Sequence, residues 1–486
     1  MIFNSIQFLI FLPIITIIYY IIPKKIKYIW LLLISYYFYM CWNPKYIILI
    51  AFSTLITFLS GLGIQFYKDK GLNHKVFPKI IVAITFISNL GLLIFFKYLS
   101  WLLDNINYLF HLQIVSPFSL VLPVGISFYT FQTLGYTIDV YRGDVKAEKN
   151  IIRYALFVSF FPQLVAGPIE RSKNLLNQLK NIYNSTINFF EIKNGLCLIL
   201  YGMFLKIVMA DRIALLVDTV FEHYAEYGFV ELSIAAILFS IQILCDFNGY
   251  SIIAKGSAQI LGIKLMNNFR QPYLATSFKD FWRRWHISLT SWFTDYLYIP
   301  LGGSRKGTFR QIINTLIVFF VSGLWHGASW HYVIWGFLHG IYQITEIGIN
   351  KFKCTFKIPS HNSAFSTRIA KTCFIFLLTN ITWIFFRADS CRDALFFFRQ
   401  MFVSFQKVPL SALGFQWHDW LITIFSILIM LVVDILHEKK IEIRKLLYHE
   451  NLWFRWLIYL TAFWSVLLFG IYGVDYDTSQ FIYFQF

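Results

Sequence analysis

Runs of about 20 predominantly apolar residues recur along almost the whole of this chain, and each is long enough to cross the hydrocarbon core of a bilayer as a helix. Inside that core every backbone N–H and C=O must be satisfied by the segment itself, which leaves only helices and closed barrels. The runs are continuous rather than alternating, which argues against a barrel. Charged residues make up 14% of the 486 residues, against about 25% in soluble domains. The chain therefore reads as an all-α, polytopic membrane protein. Candidate spans fall near 4–22, 28–42, 46–66, 80–99, 121–138, 190–210, 229–254, 312–332, 334–350, 369–387, 420–436 and 453–473. The first has neither a basic leader nor a small-residue cleavage site, so it is expected to stay as a span.

The net charge of +17 would suggest nucleic acid in a soluble protein. Here no basic domain lies outside the apolar runs, so nucleic-acid binding is not expected. The excess fits the enrichment of Lys and Arg in cytoplasmic loops. Lys24, Lys25 and Lys27 place the first loop inside, as do Lys68, Lys70, Lys75 and Lys79 in the third-to-fourth connection. Arg142, Lys146, Lys149, Arg153, Arg171 and Lys173 place 139–189 inside. The 211–228 loop, with Asp211, Asp218, Glu222 and Glu226, fits the outside. The 255–311 stretch carries nine Lys or Arg against two acids and belongs inside, as do the basic loops at 351–371 and 437–452. The pattern closes on twelve crossings with both termini outside.

Two segments are not simple crossings. Phe157 to Ile169 is apolar but short and broken by Pro162 and Pro168, and Phe278 to Ile299 is aromatic and amphipathic. Both read as re-entrant or interfacial, which requires protein or a water-filled cavity around them. No internal repeat relates the halves, which weakens a transporter reading. The expected organisation is one transmembrane domain over 1–486. N-terminal helices lie in 1–138, a funnel and core in 139–350, and C-terminal helices with an aromatic tail in 351–486.

Chemistry concentrates in two places. Between Ile312 and Gly340, an almost wholly apolar stretch carries Gly323-Leu324-Trp325-His326-Gly327. An ionisable residue at bilayer depth is costly and marks a functional site by default. A neutral imidazole there suits a general base acting on a hydroxyl. The small Gly323 and Gly327 let a substrate or another helix come close. The other reading of His326 is a bond across a helix interface. Upstream, His286 follows Arg283 and Arg284 in Asp280-Phe281-Trp282-Arg283-Arg284-Trp285-His286-Ile287-Ser288-Leu289-Thr290. This cluster suits an anionic donor such as the phosphates of coenzyme A. It equally suits a headgroup belt of Trp282 and Trp285 with snorkelling arginines. His331, His339 and His437 read as interfacial or structural. No H-E-x-x-H, G-x-S-x-G or Walker pattern occurs, so metal, serine-hydrolase and ATPase chemistry are not indicated.

Several of these strings resemble the membrane-bound O-acyltransferase family, and within it the bacterial branch of alginate and peptidoglycan O-acetylation proteins. The carriers are Met1-Ile2-Phe3-Asn4-Ser5, the Phe161–Ile169 segment, the Asp280–Gly303 stretch and Gly323–Gly327. The resemblance implies a ring of about 11–12 transmembrane helices with re-entrant segments and a central tunnel. In that arrangement a cytoplasmic donor funnel meets an extracytoplasmic path at the catalytic histidine. It implies His326 as that histidine and His286 as a second functional one, while Arg283, Arg284 and Trp325 are expected at the donor from their own chemistry and position. The donor is expected to be acetyl-CoA or another acyl thioester, with no tightly bound cofactor. The implied acceptor is a cell-wall or secreted polysaccharide. The implied partner is a separate extracytoplasmic SGNH-type acetyltransferase, since no stretch reads as a soluble domain. The location implied is the bacterial inner (plasma) membrane. The tail Phe481-Ile482-Tyr483-Phe484-Gln485-Phe486 offers Tyr483 as a covalent acyl carrier or as an aromatic anchor at the outer interface. D-alanyl transfer to teichoic acid is the alternative within the class, and transport of an acylated or lipid-linked intermediate the alternative outside it.

Overall fold

A computed structural model describes residues 1–70, 76–114, 122–165, 167–357, 364–405 and 408–472, and no strand occurs among them. Among the described residues, seven helical stretches are long and apolar enough to cross a membrane: Pro44–Asp69, Val76–Phe110, Phe229–Ile260, Thr308–His326, Phe365–Arg387, Trp417–Glu438 and Leu452–Phe469. The remaining candidate spans are helical too, at Ile6–Ile21, Lys27–Met40, Ile126–Arg142, Phe189–Met203 and Trp330–Thr355. The outer face of Trp417–Glu438 shows why a bilayer is needed. Leu421, Ile424, Phe425, Leu428 and Val432 recur at helical spacing and are all more than half exposed. Water would not tolerate such a stripe, and lipid covers it. The chain is an all-α, multi-pass membrane protein.

The fold comprises two compact units, one of Met1–Ile199 with Tyr250–Asn267 and one of Leu200–Gly249 with Asn268–Phe486. In the first, the N-terminal string is core. The Phe3 ring packs on Phe8 at 4.9 Å, Phe38 at 5.8 Å and Tyr250 at 5.6 Å, and the Tyr250 hydroxyl donates to Asn4 Oδ1 at 3.0 Å. Gly195 and Gly256 face each other so closely that a Cβ on Gly195 would lie 2.7 Å from the Gly256 carbonyl oxygen. Two helices thus meet backbone to backbone, as small residues allow in membranes. The broken segment after Phe157 is held by amides. Gln132 Nε2 donates to the Phe157 carbonyl at 2.6 Å, and Gln163 Nε2 donates to the same oxygen at 2.8 Å and to Gln132 Oε1 at 3.1 Å. Phe157 to Leu164 is fully buried, so its irregular backbone is wrapped by protein.

In the second unit, Thr308–His326 and Trp330–Thr355 form a tight hairpin. A Cβ on Gly323 would collide with the Tyr332 carbonyl oxygen, and one on Gly336 with that of Phe319. Backbone cannot yield as a side-chain tip does. Gly336→Ala is therefore expected to destabilise by about 1–3 kcal/mol through overpacking. Gly348→Ala on the same helix, where nothing lies within 4 Å, is expected to be neutral or mildly stabilising. Thermal unfolding of the two purified variants checks the contrast.

Two differences from the sequence reading have a clear physical reason. The expected span 312–332 ends at His326, because the chain turns at Gly327 and a new helix begins at Trp330. The acidic 211–228 stretch is not a loop at its start. Phe204–Ala210 is a π-helical segment that leads directly into the helix Asp211–Glu222. Asp211 is buried there, with Lys206 Nζ lying 2.6 Å from it and 2.7 Å from Asp246. A paired, buried carboxylate says little about which side of the membrane it faces.

Candidate active site

His326 is the last residue of its helix and is 3% exposed. The chain can turn away at once because Gly327 follows. A Cβ there would strike the Tyr332 ring. The space that the glycines open is thus taken by the neighbouring helix. Aromatic rings wall the imidazole on three sides: Trp325 at 4.9 Å, Trp335 at 4.9 Å and Phe386 at 5.3 Å between ring centres, each edge to face. Such contacts fix ring orientation and exclude water.

His286 reaches the same cluster from a different element. The short helices Phe278–Arg284 and Ile287–Phe293 are joined by a sharp kink with His286 in the left-handed region at φ 41°. A non-glycine residue stays there only when its surroundings hold it. Here the Ile287 N–H donates to the Asn268 carbonyl at 2.8 Å, the Ser288 hydroxyl donates to Asn268 Oδ1 at 2.6 Å, and the Arg270 N–H donates to the Arg284 carbonyl at 2.9 Å. The kink delivers the imidazole between Phe247, at 4.7 Å, and Trp325, at 5.7 Å. Trp325 therefore touches both histidines. His286, Trp282 and Trp285 are buried, so the headgroup-belt reading of this segment does not hold.

The two arginines part company. Arg283 is exposed. Arg284 is half-buried, donating from Nε to Asp280 at 2.8 Å and from Nη1 to Glu438 at 2.7 Å. Burial opposes its charge, but the hydrogen bonds it donates to Glu438 and Asp280 outweigh that and hold it firmly protonated. Its fork is occupied by carboxylates, which leaves Arg283 as the arginine better placed for an anion. Tyr483 lies outside the described residues.

Sequence reasoning placed His331 and His339 as interfacial or structural. His331 Nδ1 lies 3.0 Å from the Phe385 carbonyl and ties the hairpin to Phe365–Arg387. His339 is also bonded across a helix interface, to Thr382 Oγ1 at 3.0 Å, yet it belongs to the site's aromatic cluster as well, 5.1 Å from Trp335 and 5.0 Å from Trp282. Trp335, the ring between His326 and His339, was not singled out by the sequence. The available signal was its spacing of four from His339, which places both on one helix face.

A buried histidine at a helix break, a second histidine sharing its tryptophan wall and a water-excluding shell suit proton transfer to or from a hydroxyl. Comparison with known proteins gives the family. Residues 145–386 match the family model described as MBOAT, membrane-bound O-acyltransferase family. The chain is 36% identical over 419 residues to a probable alginate O-acetylase of Pseudomonas putida, covering 85% of this chain and 82% of that one. It is 33% identical over 395 residues to a peptidoglycan O-acetyltransferase of Helicobacter pylori, covering 76% and 72%. A teichoic acid D-alanyltransferase of Streptococcus thermophilus aligns at 30% over 229 residues, covering 45% and 55%. The chain belongs to the membrane-bound O-acyltransferase family and is an acyltransferase.

Proposed function

We propose that the protein takes an acetyl group from a cytoplasmic thioester, with acetyl-CoA as donor and no tightly bound cofactor, and passes it across the membrane for O-acetylation of a cell-wall or secreted polysaccharide. The observation that carries this reading is the placement of His326 at a helix break inside a closed aromatic shell that also holds His286. His326 takes the proton of the attacking hydroxyl. The hydroxyl oxygen adds to the thioester carbonyl carbon, the intermediate collapses with cleavage of the C–S bond, and the thiolate leaves and recovers the proton from the imidazolium. His286 and Trp325 orient the acyl group, and Arg283 meets the donor's phosphates.

Acetyl is favoured over D-alanyl by relatedness. The O-acetylating relatives align along 76–85% of this chain, whereas the D-alanyltransferase of Streptococcus thermophilus aligns along 45%. In this reading the protein lies in the bacterial inner membrane with both termini extracytoplasmic. Tyr483 accepts the acetyl group as an ester and hands it to an extracytoplasmic SGNH-type acetyltransferase on a separate chain. The test is O-acetyl content of purified wall and exopolysaccharide, by mild-base release, in wild type, a deletion strain and Tyr483→Phe. Acetate is expected to disappear from one polymer in the deletion strain and to fall with it in Tyr483→Phe. Full acetylation in Tyr483→Phe sinks the carrier role, and unchanged acetate in every polymer of the deletion strain sinks the acetylation reading.

A further inference from the structure

Trp335 shows one side to His326 and lies beside a second polar cluster that the reaction above does not use. Trp335 and His339 lie one turn apart on Trp330–Thr355, with ring centres 5.1 Å apart. Trp282 approaches both, at 5.9 Å from Trp335 and 5.0 Å from His339. Trp335 and His339 have no exposed surface, and Trp282 is 7% exposed. Trp282 Nε1, Trp335 Nε1 and His339 Nδ1 have no hydrogen-bond partner among the described residues. Unpaired buried polar atoms are costly, and the three rings that carry them lie within 6 Å of one another between centres.

Their chemistry can be worked out. The Thr382 hydroxyl donates to the Thr379 carbonyl at 2.7 Å, which uses its only hydrogen. The 3.0 Å contact between Thr382 Oγ1 and His339 Nε2 is then donated by the imidazole. A neutral imidazole with its proton on Nε2 keeps a lone pair on Nδ1. The cluster thus offers two N–H donors, one acceptor and no formal charge. A carboxylate or phosphate would bring a buried charge that these three side chains do not balance. A carbonyl oxygen would take the two donors and leave the lone pair unmet. Water would leave one of its own hydrogens over. An alcohol or phenol hydroxyl matches all three, accepting from both indoles and donating to Nδ1.

We propose that Trp282, Trp335 and His339 form a hydroxyl-binding subsite beside His326, which takes the alcohol or phenol group of an acyl acceptor. It deepens the acyl-transfer reading and rests on it. Two substitutions separate this role from a structural one. His339→Gln keeps an amide N–H for Thr382 but removes the acceptor at Nδ1. His339→Asn keeps an acceptor oxygen near the Nδ1 position but loses the donor to Thr382. The subsite predicts that polymer O-acetyl content, at matched protein level, falls about tenfold in His339→Gln and stays within about twofold of wild type in His339→Asn. The opposite order overturns the proposal and makes His339 a bolt between helices.

A binding measurement on the purified full chain tests the subsite without acyl transfer. Titration with phenol is expected to show saturable binding in wild type and His339→Asn, weakened about tenfold in His339→Gln. No saturable binding, or equal affinity in His339→Gln and wild type, overturns the proposal, the former in favour of an ordered water. Should His326→Ala leave polymer acetylation intact, the acyl-transfer reading fails, and the phenol titration still decides the subsite.

Discussion

Replacing His326 with Ala is expected to lower acyl transfer about a thousandfold, the range typical for loss of a positioned general base. The shell predicts that this loss is chemical. Trp335 and Phe386 pack on each other at 5.2 Å as well as on the imidazole, Trp335 also stacks on Trp383 at 5.6 Å, and Trp325 is backed by His286 at 5.7 Å. The cluster therefore survives a smaller central residue. His326→Gln fills most of the volume without supplying a base, so it should be as inactive as His326→Ala and closer to wild type in unfolding temperature. The measurement is thiol release from an acetyl thioester by purified protein, followed beside ester content of cell polysaccharide. Near-normal rates in either variant would remove His326 from the chemistry and return it to a bond across helices. A transporter or a scaffold for another enzyme predicts that outcome.

Lys206→Met is expected to cause the largest loss of stability of any single change proposed for the chain, about 3–5 kcal/mol. Lys206, Asp211 and Asp246 are each almost wholly buried, and the lysine is the cation between the two carboxylates. Removing it leaves two negative groups in a low-dielectric interior, where their repulsion and desolvation are both severe. No side-chain movement restores it, because a Cβ on Gly249 would already lie 3.2 Å from the Lys206 backbone nitrogen, so the helices are locked at this crossing. The triple variant with Lys206→Met, Asp211→Asn and Asp246→Asn should recover most of the loss. Thermal unfolding and the yield of monodisperse protein in detergent read both. Wild-type stability in Lys206→Met alone would show that the lysine charge contributes little to the fold.

The helical class and the positions of the apolar helices were legible because bilayer length and backbone satisfaction leave so few alternatives. Helix ends were less legible where the break depends on one glycine. Ile312 to Gly340 reads as almost wholly apolar sequence, and nothing in it shows that the first helix stops at His326 and that the chain turns at Gly327, where a Cβ would strike the Tyr332 ring. The acidic stretch after Ala210 misled for a related reason. Charge next to an apolar run looks like a loop, and nothing local reveals that Lys206 and Asp246 neutralise Asp211 from within. His326 and His286 were legible as unusual residues in apolar or aromatic strings. That they share Trp325 was not, since forty residues separate them and a left-handed kink does the joining. Arg284 shows the limit of charge reasoning. Its sequence neighbours suggest an arginine for a donor phosphate or a headgroup, while Asp280, one turn back, and Glu438, far along the chain, take up its fork.

The end of the helix at His326 has an electrostatic consequence. The final carbonyls of a helix have no intrahelical partners, and the aligned peptide dipoles leave about half a negative charge there. A histidine in the middle of a span would see none of this. At the last residue of Thr308–His326, the imidazole stands at the negative end of that helix. The turn at Gly327 thus provides more than room for Tyr332. It sets the terminal field of a whole helix against the charge that forms when the hydroxyl gives up its proton.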